Sequence, residues 1–230
     1  MSDYSLFEKG IRRIKQALVP VLAPSRRHKL NNTDFTIISN NCWGGLCYEY
    51  FGLPKLSPTI GAYFFADDYL RFASNLSHYL DQRIRIVSAY ESKHFDSLKQ
   101  RNQLDVPIGV IDDVEIVFLH YLDPKIAMEK WQRRCQRVNF DNLIFKFSYT
   151  GECESNHIDA FEKIDCGKKV FFSAKPISKY DNIIVVPGNR EGIVANDTFY
   201  WNKYIDVVEL INKGKVIQKH TGGRSALLEE

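Results

Sequence analysis

Short β-branched, apolar runs alternating with longer helical patterns constrain this chain more than any other feature. DFTIIS, GAYFF, RIRIVSAYE, NLIFKFS, KKVFFSA and NIIVVP read as strands. LCYEYFGL (stopped by Gly52 and Pro54), DDYLRFASNLSHYL, PKIAMEKWQRRCQRV, SNHIDAFEKI and YIDVVELINKG read as helices, with Asp123 and Pro124 opening one, Ser155 or Asn156 capping another, and Gly214 closing the last. Such alternation implies βαβ units. The expected architecture is an α/β, three-layer Rossmann-like fold with a largely parallel sheet, which the paired strands of PIGVIDDVEIVF would make mixed. In such folds ligands sit outside the carboxyl ends of the strands, so polar residues that follow strands are the first candidates for a site.

The segment NNCWGG, residues 40–45, is such a place. Read as the turn between the strand at 35–39 and a helix beginning at Leu46, it offers Asn40 and Asn41 as hydrogen-bond donors and Trp43 as a contact. Gly44 and Gly45 would let the backbone approach a ligand. A helix start presents unpaired N–H groups and partial positive charge, which suit a developing oxyanion and favour the thiolate form of a nearby Cys42. The spacing is neither GxGxxG nor a P-loop. The alternative is a tight turn around a buried cysteine.

Other strand ends add His120, closing VFLHY, as a general base or acid, and Glu152, Cys153 and His157 in the loop after NLIFKFS. Each can also be a cap, a solvated group or a half-buried structural residue. The pair Asp112–Asp113 can hold a divalent cation with a nucleotide diphosphate, or simply turn the chain between two strands. Arg133 and Arg134 can contact an anion or form a solvated basic face.

Length and composition bound the classes. With 230 residues and 44% apolar content the chain can build a sizeable core unaided. Five scattered cysteines without a CxxC pair indicate reduced thiols rather than disulfides or structural zinc. Apolar runs such as 183–186 are far shorter than a membrane span requires, and a signal-peptide core is lacking, so a cytoplasmic protein is expected. Residues 1–30 carry seven Lys/Arg against two acids, a net +5 that leaves −2 for the other 200 residues. There Phe7, Ile11, Ile14, Leu18 and Val21 form the stripe of an amphipathic helix that Pro20 should kink or end. This segment, 1–29, can lie peripherally on an anionic membrane, or pack its stripe on the domain. No basic stripe interleaved with aromatics continues beyond Lys29, which argues against nucleic acid. The expected organisation is a basic segment at 1–30, one α/β domain at 31–215 and a polar tail at 216–230.

The segments FTIISNNCWGGLCYEYFGLPKLSPTIGAYF, PIGVIDDVEIVFLHYLDPKIAMEKWQRRCQRVNFDNLIFKFS and YIDVVELINKGK, spanning about residues 30–215, resemble a bacterial family known as domain of unknown function nineteen-nineteen. NNCWGG, SPT, HY and KWxRR carry the resemblance. It implies a setting, exopolysaccharide or capsule biosynthesis, and brings no catalytic roles. One departure is YTGEC, where an Asp-Arg-Asp-Gly-Cys type of loop is expected, leaving Glu152 to serve alone. Three expectations follow. The first is a transferase that moves an acyl group, from a donor such as acyl-CoA, onto a glycan or its lipid-linked precursor, with Cys42 as nucleophile and His120 or His157 as base. The second is a glycosyltransferase holding Mn²⁺ or Mg²⁺ and a sugar nucleotide on Asp112 and Asp113. The third is a non-enzymatic assembly module with Trp43, Tyr48, Tyr63 and Trp201 as a sugar-binding edge.

Overall fold

Alternate residues along each central strand are apolar on opposite sides, and this period of two builds three layers. Ile37, Ile144, Val170, Phe172 and Ile184 face one cluster, while Ile38, Phe145, Phe147 and Phe171 face the other. The computed structural model describes residues 6–189, 191–195, 197–198 and 201–219, with residues 6–16 by backbone alone. Along it run α1 (Leu6–Arg27), β1 (Thr36–Ser39), α2 (Trp43–Phe51), α3 (Ala66–Ser74), α4 (Leu76–Asp81), β2 (Arg85–Val87), α5 (Phe95–Gln100), β3 (Ile108–Ile111) and β4 (Val114–Val117). They are followed by α6 (Pro124–Cys135), β5 (Leu143–Ser148), α7 (Ser155–Glu162), β6 (Lys169–Ser173), β7 (Ile183–Val185) and α8 (Val207–Lys213).

The main sheet is wholly parallel in the order β1-β5-β6-β7. Helices α2 and α8 cover one face; α3, α6 and α7 cover the other. This is the expected Rossmann-like α/β arrangement. The paired strands around Asp112 do not join that sheet. They form a second, antiparallel sheet, β2-β3-β4, whose Ile111, Val114 and Ile116 pack into the same core as α3 and α6.

Several boundaries differ from the expected ones. GAYFF contributes only a bridge, Tyr63 to Val117, instead of a strand. The 67–80 helix breaks at Asn75, whose backbone leaves helical geometry. Helix α7 is capped by Glu154 rather than Ser155 or Asn156. Asp123, Pro124, Gly52 and Gly214 act as expected, the two glycines with left-handed φ of 62° and 69°. Helix α1 runs through Pro20 and Pro24 to Arg27 instead of ending at Pro20. Tertiary contacts hold its last turns: Ala23 is buried beside Gly52, and Arg26 and Arg27 donate to the Tyr50 and Gly52 carbonyls at 3.3 and 3.0 Å. They offset the backbone hydrogen bonds that two prolines remove. Residues 216–219, at the start of the expected tail, are tied in by Asp206 N–H to Ile217 O and Lys219 N–H to Tyr204 O. The rest of that tail, 220–230, and residues 1–5 of the basic segment lie outside the described residues.

Candidate active site

Parallel strands place the ends of β1 and β5 at one edge, and Cys42 follows β1 there by three residues. The helix behind it begins at Trp43, three residues earlier than its pattern suggests. Gly44 and Gly45 therefore lie in the first turn of α2 and do a packing task. A Cβ on Gly44 would sit 3.0 Å from Ile37 Cγ2, and one on Gly45 3.3 Å from Ile60 Cγ2. The absent side chains let α2 close onto β1 and onto the 57–61 loop.

Cys42 is the N-cap residue of α2, but its thiol makes no capping hydrogen bond. It meets His120 instead, with Sγ to Nε2 at 3.1 Å. His120 sits in the turn after β4, since that strand stops at Val117. A single short segment joins the two halves of the pair. Phe64 N–H donates to Asn40 O at 3.0 Å, Tyr63 exchanges two 2.8 Å bonds with Val117, and Gly61 O accepts the His120 N–H at 3.3 Å. Gly61 has φ +79° and a Cβ there would meet the Tyr121 ring at 2.9 Å, so this position requires glycine.

Arg134 locks the joint. Buried rather than solvated, it donates from Nη1 to Ile60 O at 2.9 Å and to Tyr121 Oη at 2.7 Å, and Tyr121 donates to the same Ile60 O at 3.0 Å. From the other side Ser39 N–H donates to Thr59 Oγ1, which pairs with Ser57 Oγ. The NNCWGG, SPT, HY and KWxRR elements thus converge around Cys42 and His120.

The side chains of both asparagines bond within the frame. Asn40 is fully buried and its amide pairs with Ser148, accepting from N–H at 3.1 Å and donating to O at 3.3 Å. Asn41 donates to Asp197 and accepts at Oδ1 from Lys146 Nζ and from the Trp43 N–H. Sequence reasoning missed Lys146 and Asp197, a buried ion pair that also engages Ser148 Oγ. Burial pushes the Lys146 ammonium below its usual range against the pull of Asp197. Burial alone would raise Asp197, but Lys146, Ser148 and Asn41 outweigh it and hold its carboxyl below 3.8. A signal existed: one lysine among the apolar residues of LIFKFS, in a strand of the kind that parallel sheets bury on both faces.

Trp43, Tyr48 and Tyr63 are buried, which removes three of the four residues of the sugar-binding edge. Trp43 packs edge-on against Phe172, its indole N–H on Trp201 O at 2.9 Å. His157 is engaged elsewhere. Its Nδ1 accepts the Glu154 N–H at 2.8 Å, which leaves the ring proton on Nε2 facing Asp67 Oδ1 at 3.0 Å. Glu152 pairs with Arg101 and accepts from Tyr63 Oη at 3.1 Å and Thr150 Oγ1 at 2.7 Å. Asp112 and Asp113 occupy the β3–β4 turn, at the end of β4 opposite His120, bound to His78, Tyr79 and Arg71. Among the described residues no group of three or more His, Cys, Asp and Glu is arranged to hold a metal ion.

Cys42 differs from the other thiols. Burial raises Cys47, Cys153 and Cys166 above the usual thiol range and pushes Cys135 up to about 12. Cys42 is only partly buried and faces an exposed imidazole.

The family model described as "Domain of unknown function (DUF1919)" matches residues 14–213. The chain belongs to this family. An uncharacterized protein of Haemophilus influenzae is similar to it, 29% identical over 190 residues that cover 80% of this chain and 86% of that protein. The family match takes in both Cys42 and His120 and all the motifs that frame them.

Proposed function

We propose that this family member is a transferase that carries an acyl group on Cys42 and delivers it to a hydroxyl of a glycan or of its lipid-linked precursor. The 3.1 Å contact between Cys42 Sγ and His120 Nε2 carries the reading, because a thiol beside an imidazole is the minimum apparatus of covalent acyl transfer. His120 takes the thiol proton and the thiolate attacks the carbonyl carbon of a thioester donor such as acyl-CoA. The tetrahedral oxyanion collapses, the donor's carbon–sulfur bond breaks, and the leaving thiolate takes the proton from His120. In the second half His120 accepts the proton of the incoming hydroxyl, whose oxygen attacks the Cys42 thioester and forms the ester. The same proton then returns to the departing Cys42 sulfur. Asn41 already accepts the Trp43 N–H, so the oxyanion falls to the Gly44 and Gly45 N–H groups, which have no carbonyl one turn back inside α2. The glycan acceptor comes from the surface-glycan setting that the resemblance implies, and five cysteines outside any disulfide suit the reducing cytoplasm.

Intact-mass spectrometry with acetyl-CoA tests the first half. An adduct of one acetyl group on Cys42, with release of CoA, is expected. It should be absent from Cys42→Ala and formed at least about tenfold more slowly by His120→Ala. An unmodified Cys42 together with a Mn²⁺-dependent thermal shift on a nucleoside diphosphate sugar would overturn acyl transfer and return the role to Asp112 and Asp113.

A further inference from the structure

The described part of the α1 stripe does not pack on the domain. Leu18, Val21 and Leu22 are 47%, 75% and 39% exposed, whereas Ala23 is buried. At 3.6 residues per turn, Leu18 and Val21 lie roughly 140 to 160° around the helix from Ala23. The side that docks on α2 is therefore opposite the apolar side. Arg26 and Arg27 fix that orientation through their bonds to the Tyr50 and Gly52 carbonyls, with the Arg26 guanidinium 3.9 Å above the Tyr50 ring. In the sequence Phe7, Ile11 and Ile14 recur at the same helical spacing as Leu18 and Val21.

We infer that α1 is a docking helix for an anionic bilayer surface, with Leu18, Val21 and Leu22 entering the boundary between headgroups and acyl chains. Charge selects this occupant. Lys9, Arg12, Arg13 and Lys15 share the helix with a single acid, Glu8, and residues 1–30 carry +5 while the remaining chain carries −2. Pairing two copies through this face would set one +5 segment against another, whereas anionic lipids neutralise it. The helix lies on the surface rather than crossing it, as no described helix is long and apolar enough to span a membrane. The inference is independent of the chemistry at Cys42.

Co-sedimentation of the full chain with vesicles tests it, comparing pure phosphatidylcholine with a phosphatidylcholine–phosphatidylglycerol mixture. At least tenfold stronger partition onto the anionic vesicles is expected, weakening as salt rises, and at least a tenfold loss in the double variant Leu18→Asp/Val21→Asp. Both residues are exposed, so an unchanged melting temperature should accompany that loss. Equal binding to both vesicle types, or undiminished binding of the double variant, would overturn the inference. Absence of vesicle binding would do the same, and a dimer in analytical ultracentrifugation that the variant abolishes would assign the face to a second copy.

Discussion

Cys42 Sγ lies 3.1 Å from His120 Nε2 although 78 positions separate them in the chain. The first residue follows a strand of the parallel sheet and the second follows a strand of the antiparallel sheet. Their meeting depends on residues 57–64, which hydrogen-bond to both sheets.

Thiol reactivity should single out Cys42. Under native conditions at neutral pH, limiting iodoacetamide followed by peptide mapping should label Cys42 first, because burial raises the other four thiols. Equal or faster labelling of Cys135 or Cys166 would contradict the assigned environment.

Gly61→Ala should damage the pair from a distance. Its φ of +79° and the Tyr121 ring, 2.9 Å from where a Cβ would stand, leave no relaxed place for a side chain, at a cost of about 1–3 kcal/mol of backbone strain. Displacing the Gly61 carbonyl releases the His120 backbone, so Cys42 alkylation should slow along with the loss of stability. Arg134→Met should resemble it, since it removes the buried donor to Tyr121 Oη and one of the two donors to Ile60 O, leaving only the Tyr121 hydroxyl on that carbonyl. A thermal melt and an alkylation time course on each variant check both effects.

The buried pair predicts both a mutational pattern and an acid limb. Asp197→Ala strands the Lys146 charge and should cost about 3–5 kcal/mol, whereas Lys146→Met combined with Asp197→Leu should cost less than either single change. The folded-state pKa of Asp197 is lowered, so its stabilisation is fully present above about pH 4 and is lost as pH falls below 3.8 toward the folded value. Denaturant melts between pH 3 and pH 6 should show a shallower acid slope in Asp197→Asn than in the parent.

Gly44→Ala should be more harmful than Gly45→Ala. The new methyl would press on Ile37 in the central layer, 3.0 Å from its Cγ2 and 3.4 Å from its branched Cβ, against 3.3 Å from Ile60 Cγ2 for its neighbour. Overpacking of this kind costs about 1–3 kcal/mol, and urea melts should rank the two variants in that order.

Local pattern made much of the molecule legible in the sequence. The strand runs, their two-sided apolar character, the Asp123–Pro124 helix start and the Gly52 and Gly214 stops are decided by side-chain periodicity and backbone preference within a few residues. Those rules also put Cys42 at the carboxyl edge of a parallel sheet. Only the tertiary structure decided which groups face one another there. It turned Asn40, Asn41 and Trp43 inward, gave His157 to Glu154 and Asp67, and carried α1 through two prolines by anchoring its end on α2. It also brought His120 rather than Asp112 or Asp113 to the thiol. The physical reason is the same in each case. Hydrogen bonds such as Asn40 to Ser148, Arg134 to Ile60 and His120 to Gly61 join residues 59 to 108 positions apart, and no local periodicity encodes a partner at that distance.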